Sequence, residues 1–187
     1  AREGGVGRGR GRPRGGGGPG AGLIGALCDR DPSAGGGAAG LNARLLADEL
    51  HALGIDVDCA PVRDLLLPGA HDIIGDRAFG TGPQAIATLG RAACEGFMAG
   101  GVMPVIKHVP GHGRATQDSH KALPVVTTGV AELDRTDFAA CRALSAMPAA
   151  MTAHVVYNAI DPDAAGTLSP MVVAGSIRGP SGCCAVR

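Results

Sequence analysis

Apolar residues along this chain recur with two different periods, and the switching between them predicts its elements. Leu41, Leu45, Leu46, Leu50 and Leu53 follow helical spacing, and Gly54 supplies a stop. Residues 55–62 (IDVDCAPV) are short and alternating, which predicts a strand. A loop rich in Gly, Pro and Asp follows. Pro83 suits the first position of a second helix, with Ile86, Leu89, Ala93, Phe97 and Met98 on one face and Gly100–Gly101 at its end. Residues 102–106 (VMPVI) read as a buried strand with Pro104 as its irregular member. A polar loop over 107–128, a third helix over 131–145 and a strand over 149–156 (AAMTAHVV) come next. Ser169–Pro170 has the form of a helix N-cap followed by Pro at the first turn.

Short strands alternating with helices imply parallel strands joined by right-handed crossovers. An open doubly wound sheet and a (β/α)-barrel both fit this order. A glycine-rich dinucleotide fingerprint does not open any of the strand-to-helix turns, which counts against a Rossmann site.

Composition narrows the picture. With 187 residues and 45% hydrophobic content, the chain can bury one core, built from Ala, Val, Leu and Ile because aromatics are only 2%. Lys+Arg and Asp+Glu both number 17, so no global field steers it to nucleic acid or an anionic membrane. Near-neutrality protects poorly against self-association. Residues 1–22 are dense in Gly and Arg and read as an unstructured segment; an RNA-binding tract is the other reading of that composition. No apolar run is long enough for a membrane-crossing helix, and the first residues lack the apolar core of a secretory signal. Six cysteines with no Cys-x-x-Cys pair, mostly inside apolar runs, suggest free thiols and a cytoplasmic setting.

Ionisable residues gather where the predicted strands end: Arg63–Asp64 after the first, Lys107–His108 after the second, His154 near the end of the third. In a parallel sheet these positions share the C-terminal edge, where barrel enzymes carry their chemistry. The densest group is Lys107, His108, His112, Asp118 and His120, on a loop shaped by Pro110, Gly111 and Gly113. In extended chain Asp118 and His120 point to one side, so the carboxylate can orient the imidazole. An imidazole with its ordinary pKa of about 6.5 exchanges a proton near neutrality and suits general acid/base work. Asp64 reads as a strand-end residue that orders loops, His112 equally as a loop-shaping hydrogen bonder or a ligand contact, and His154 equally as a core or a site residue. A zinc site using His108, His112, His120 and His154 is a different reading, but none of the usual ligand spacings is present.

The string KHVPGHGRATQDSHKALP over 107–124 resembles the KH-x-PGHG…DSH signature of bacterial family 3 glycoside hydrolases of the β-N-acetylhexosaminidase type. The likeness extends to APVRD (60–64), IGDRAFG (74–80), AMTAHVVY (150–157) and TLSP (167–170). The resemblance implies a (β/α)8 TIM-type barrel, only partial in this chain, and retaining hydrolysis of terminal N-acetyl-β-glucosamine in peptidoglycan recycling. It makes His120 the acid/base and Asp118 its partner, and it gives sugar binding to Arg77, Lys107 and His108. No cofactor is implied; the expected ligand is an N-acetylglucosaminyl muropeptide or a chitooligosaccharide.

Two departures shape the expectation. The family's Asp nucleophile lies in an SDD-type motif, and here the likeness instead dissolves into GPSGCCAVR. Near the start, only Glu3–Gly4–Gly5 remains of a sugar-binding DQEGG segment. The expected organisation is therefore an unstructured segment over 1–22, a partial barrel domain over 23–178 and an unmatched tail over 179–187. A truncated or frame-shifted reading would explain both ends. Impaired turnover follows, with an inactive fragment or pseudoenzyme as the alternative, and exposed barrel edges are expected to favour self-association.

Overall fold

The computed structural model describes residues 3–4, 19–67, 69, 74–117, 122–179 and 182. Asp118, His120 and His71 lie outside the described residues, as do Cys183 and Cys184. In chain order the elements are β1 (Glu3–Gly4), α1 (Ala21–Arg30), α2 (Pro32–Ala52), β2 (Val57–Asp58), α3 (Pro83–Ala99), β3 (Met103–Val109), β4 (Val125–Val126), α4 (Val130–Arg135), α5 (Asp137–Arg142), β5 (Ala149–Thr152), β6 (Val156–Tyr157) and β7 (Asp161–Ala165). A short 3-10 turn spans Gly75–Arg77, and a widened helical turn spans Val172–Ile177.

Strands β1, β2, β3 and β5 form a parallel sheet in the same order as they occur in the chain. That order decides between the two candidate architectures. Right-handed crossovers between strands laid down in sequence place every connecting helix on one face, as in a barrel wall. A doubly wound sheet requires the order to reverse. The sheet is thus an arc of a (β/α)8-type barrel. Pro104 is tolerated in β3 because pairing with β5 starts only at Val105, which faces Ala149. A second small sheet, in the order β4-β6-β7, follows the long loop after β3.

Several sequence expectations need correction. Of residues 1–22, the described positions are not unstructured: Glu3–Gly4 pairs with Val57–Asp58, and Ala21 opens α1. Helix α1 was not predicted, and α2 begins at Pro32, nine residues before the leucine pattern. The Asp31 carboxylate caps it, accepting from the Ser33 and Ala34 N–H groups at 3.0 Å each, with Pro32 in the first turn. The glycines that hid this helix have a packing role. A Cβ at Gly35 would fall 2.5 Å from Cys28 of α1, and one at Gly96 of α3 would fall 2.2 Å from the Gly40 carbonyl of α2.

The buried stripe of α2 is accordingly Gly35, Ala39, Ala43 and Ala47, whereas Leu41, Leu45 and Leu53 are exposed. Met98, expected on the buried face of α3, is exposed too. The helix predicted over 131–145 is broken at Thr136 into α4 and α5. The Ser169 cap is as expected: its Oγ accepts from the Val172 N–H and donates to Asp161.

Helix α3 divides the core. Its Ile86, Leu89 and Phe97 join α1 and α2 in one cluster. Its Cys94 joins Ile106, Phe138, Leu144 and Tyr157 in another, beneath the ends of β3 and β6. Cys28, Cys59, Cys94 and Cys141 are free thiols. Among the described residues, no helix is long and apolar enough to cross a membrane.

Candidate functional site

The C-terminal ends of β2 and β3 are sewn together. Lys107 donates its backbone N–H to the Pro61 carbonyl at 3.1 Å, and Arg63 donates its own to the Lys107 carbonyl at 2.7 Å. Alternation along β3 buries Ile106 in the core and turns Lys107 the other way. The register between β3 and β5 shifts between Lys107 and Val109, and the Lys107–His108 and Val109–Pro110 peptide bonds are cis.

Lys107 and Arg77 line one cavity of about 680 Å³, bounded by α2 and the β2 side of the sheet. Asp58 and Cys59 share its wall, and Leu46, Leu50 and Phe97 make it largely apolar. Burial pushes the Lys107 ammonium below its ordinary pKa and the Arg77 charge adds to this, while Cys59, Asp58 and Asp64 oppose it. An ammonium offers donors and no acceptor, which suits an oxygen-rich ligand.

His108 turns elsewhere. Its Nδ1 lies 2.6 Å from Asp64 Oδ2, and the His112 N–H donates to Asp64 Oδ1 at 2.8 Å. The Asp64 side chain has no exposed surface. Burial alone would raise its pKa, but the His108 hydrogen bond and charge, the Arg63 guanidinium and the His112 N–H outweigh that and bring it to about 2. Arg63, itself buried, donates from Nε to the His108 carbonyl at 2.8 Å and from Nη1 to the Asp137 carbonyl at 2.9 Å, with Nη2 also on the His108 carbonyl. From the far side, the Tyr157 hydroxyl donates to the Gly111 carbonyl.

His112 is buried beside the His108 ring, with centroids 5.1 Å apart, and its Nδ1 has no hydrogen-bond partner. Burial, together with His108, lowers its pKa and keeps the ring neutral. Beyond it, Arg114 anchors the onward loop: Nε donates to Asp137 Oδ2 at 2.7 Å, and Nη1 sits 3.0 Å from Glu132 Oε1. Strand β4 fixes the loop's other end. Asp118 and His120 fall between these two anchors in sequence and lie outside the described residues.

The structure therefore brings Arg77 and Lys107 to one cavity and holds His108 on the neighbouring Asp64, away from that cavity's lining. His154 is exposed just after β5, so it is not a core histidine. Among the described residues no three His, Cys, Asp or Glu side chains gather as a metal site would require. Sequence reasoning placed Arg63 and Asp64 at a strand end and gave Asp64 its loop-ordering role, but missed Arg114, Asp137 and Tyr157. Arg63 carried a usable signal, being a charge inside an otherwise apolar strand end.

Residues 3–182 match the family model described as the glycosyl hydrolase family 3 N-terminal domain. The chain belongs to that family. A β-hexosaminidase of Alkalilimnicola ehrlichii is 39% identical over 163 residues, covering 86% of this chain and 46% of the relative. One from Neisseria meningitidis serogroup B is 42% identical over 146 residues, 76% of this chain and 40% of its own length. Among solved structures, NagZ from Neisseria gonorrhoeae in complex with N-trifluoroacetyl-D-glucosamine superposes with a TM-score of 0.75 at 40% identity, over 81% of this chain and 44% of that one. A family 3 β-N-acetylglucosaminidase from Paenibacillus gives 0.75 at 39% identity, over 82% and 29%. This family 3 chain thus spans less than half the length of these relatives.

Proposed function

We propose that this chain carries the N-acetylglucosamine-binding rim and the acid/base loop of a retaining β-N-acetylhexosaminidase acting on muropeptides or chitooligosaccharides. The observation behind this is the strand-end string from Lys107 to His112, held at the rim by Arg63 and Asp64, with Arg77 sharing the Lys107 cavity. Lys107 and Arg77 donate to sugar oxygens, where a charged donor forms the stronger hydrogen bond. His120 passes the proton to and from the glycosidic oxygen, and Asp118 orients it. Relatives named β-hexosaminidase, and a NagZ structure holding a glucosamine derivative, support the substrate class.

A retaining mechanism also needs a carboxylate that attacks the anomeric carbon. Asp64, the carboxylate beside His108, cannot serve, being buried and tied to three donors. The expected activity of the chain is sugar binding, with turnover depending on a carboxylate placed at the anomeric carbon. The test is N-acetylglucosamine titration of the wild-type chain and Lys107→Met, alongside hydrolysis of a chromogenic N-acetyl-β-glucosaminide by wild type and His120→Ala. Binding weakened by Lys107→Met supports the proposal. No binding, together with hydrolysis absent or indifferent to His120, refutes it.

A further inference from the structure

His108 is held at both of its ends. Arg63 grips its carbonyl oxygen with Nε and Nη2, fixing the backbone from which the ring projects. Asp64 Oδ2 meets the ring itself at Nδ1, 2.6 Å away. The other carboxylate oxygen, Oδ1, accepts the His112 N–H. An ionised carboxylate accepts hydrogen bonds and donates none. The proton in the 2.6 Å contact then sits on His108 Nδ1, and a ring carrying that single proton keeps its lone pair at Nε2. That nitrogen makes no hydrogen bond to a described residue, and the side chain retains 20% exposure.

We infer that Asp64 is a positioning residue that fixes His108 as a hydrogen-bond acceptor at Nε2, so that the group it recognises is a hydroxyl or amide N–H of the ligand. This rests on the sugar-site reading for the identity of the ligand but not for the state of the ring. It divides the work of two consecutive residues. Lys107 has only donors to offer a ligand, and His108 has an acceptor. A buried carboxylate that stays ionised is what keeps the two different, and the hydrogen-bonded partner of an imidazole generally sets its tautomer in this way.

The isosteric variant Asp64→Asn separates this role from loop stapling. Its Oδ1 still accepts the His112 N–H, but its Nδ2 presents a donor to His108 Nδ1. The ring proton is expected to move to Nε2, turning the acceptor there into a donor. The measurement is the tautomer of His108 by long-range proton–nitrogen NMR, its signals assigned by their loss in His108→Gln. N-acetylglucosamine titrations of wild type and Asp64→Asn are run in parallel. The expected result is a proton on Nδ1 in wild type, a shift to Nε2 in Asp64→Asn, and about tenfold weaker sugar binding, the value of one hydrogen bond. A proton on Nε2 in wild type overturns the inference without any variant having to fold. So does an Asp64→Asn protein whose tautomer moves while its affinity stays within about twofold. A wild-type proton on Nδ1 with no sugar binding at all would overturn the sugar-site reading and leave the positioning of the ring standing.

Discussion

Around Asp64, buried polar atoms other than His112 Nδ1 are paired with named partners: three donors on its carboxylate, two carbonyls on the Arg63 guanidinium, a hydroxyl on the Gly111 carbonyl. Between α1, α2 and α3 the contact is of another kind, made by glycines and alanines whose missing side chains let backbones approach closely. The rim has directionality and charge; the helical layer has shape alone. Chemistry needs the first, because an imidazole or ammonium must be aimed within a few tenths of an ångström. The second needs only a surface that excludes anything larger than hydrogen at a handful of positions. Perturbing each should therefore produce opposite responses to charge and to volume.

The largest effect is expected at the rim. Asp64→Ala strips His108 Nδ1 and the His112 N–H of their acceptor and leaves the buried Arg63 charge less compensated. Removing one partner from such a buried set costs about 3–5 kcal/mol. Urea unfolding of wild type and variant measures it, and a loss below about 1 kcal/mol would mean that water replaces the carboxylate freely. Acid attacks the same group reversibly. The Asp64 pKa is about 2 in the fold and near 4 in the unfolded chain, so its contribution is complete above about pH 4 and disappears as pH falls toward 2. The expected loss is about 2–3 kcal/mol over that window. Unfolding midpoints between pH 5 and 2 test this. An Asp64→Asn protein with the same acid profile as wild type would assign the loss to other carboxylates.

What could be read from the sequence divides along the same line. The strand ends were legible because Lys107, His108 and Arg63–Asp64 are charges set against apolar strands, and a parallel sheet sends such ends to one edge. The alternation of parallel strands with helices was legible from periodicity, although the choice of a barrel over a doubly wound sheet required the strand order itself. The helical layer was misread because periodicity arguments weigh side chains. Leu41 and Leu45 dominated the α2 pattern yet face outward, while the true interface is carried by Gly35, Ala39, Ala43 and Ala47, which weigh little on such a scale. Helix α1 was missed for the same reason. The ties from Arg114 to Asp137 and from Tyr157 to Gly111 join residues more than twenty positions apart, and no local pattern records them.

The helical layer should respond to volume and ignore pH. Gly96→Ala places a Cβ 2.2 Å from the Gly40 carbonyl and 3.0 Å from Ala43, so α2 and α3 must move apart. Such overpacking costs about 1–3 kcal/mol, even though alanine is the better helix former. Its loss in urea should be the same at pH 4 and pH 7; a loss that grew with acid would tie this interface to the rim. Gly36→Ala is the complement, with the smallest effect and the opposite sign. It lies one residue along the same helix from the Cys28 contact, and a Cβ there meets nothing within 4 Å. With no clash to offset it, alanine removes backbone freedom from the unfolded chain and should stabilise by about 0.5–1 kcal/mol. A raised urea midpoint for Gly36→Ala beside a lowered one for Gly96→Ala would show that close approach, and not helix propensity, keeps glycine in this layer. Lowered midpoints in both would mean that α2 is not a continuous helix through its glycine run.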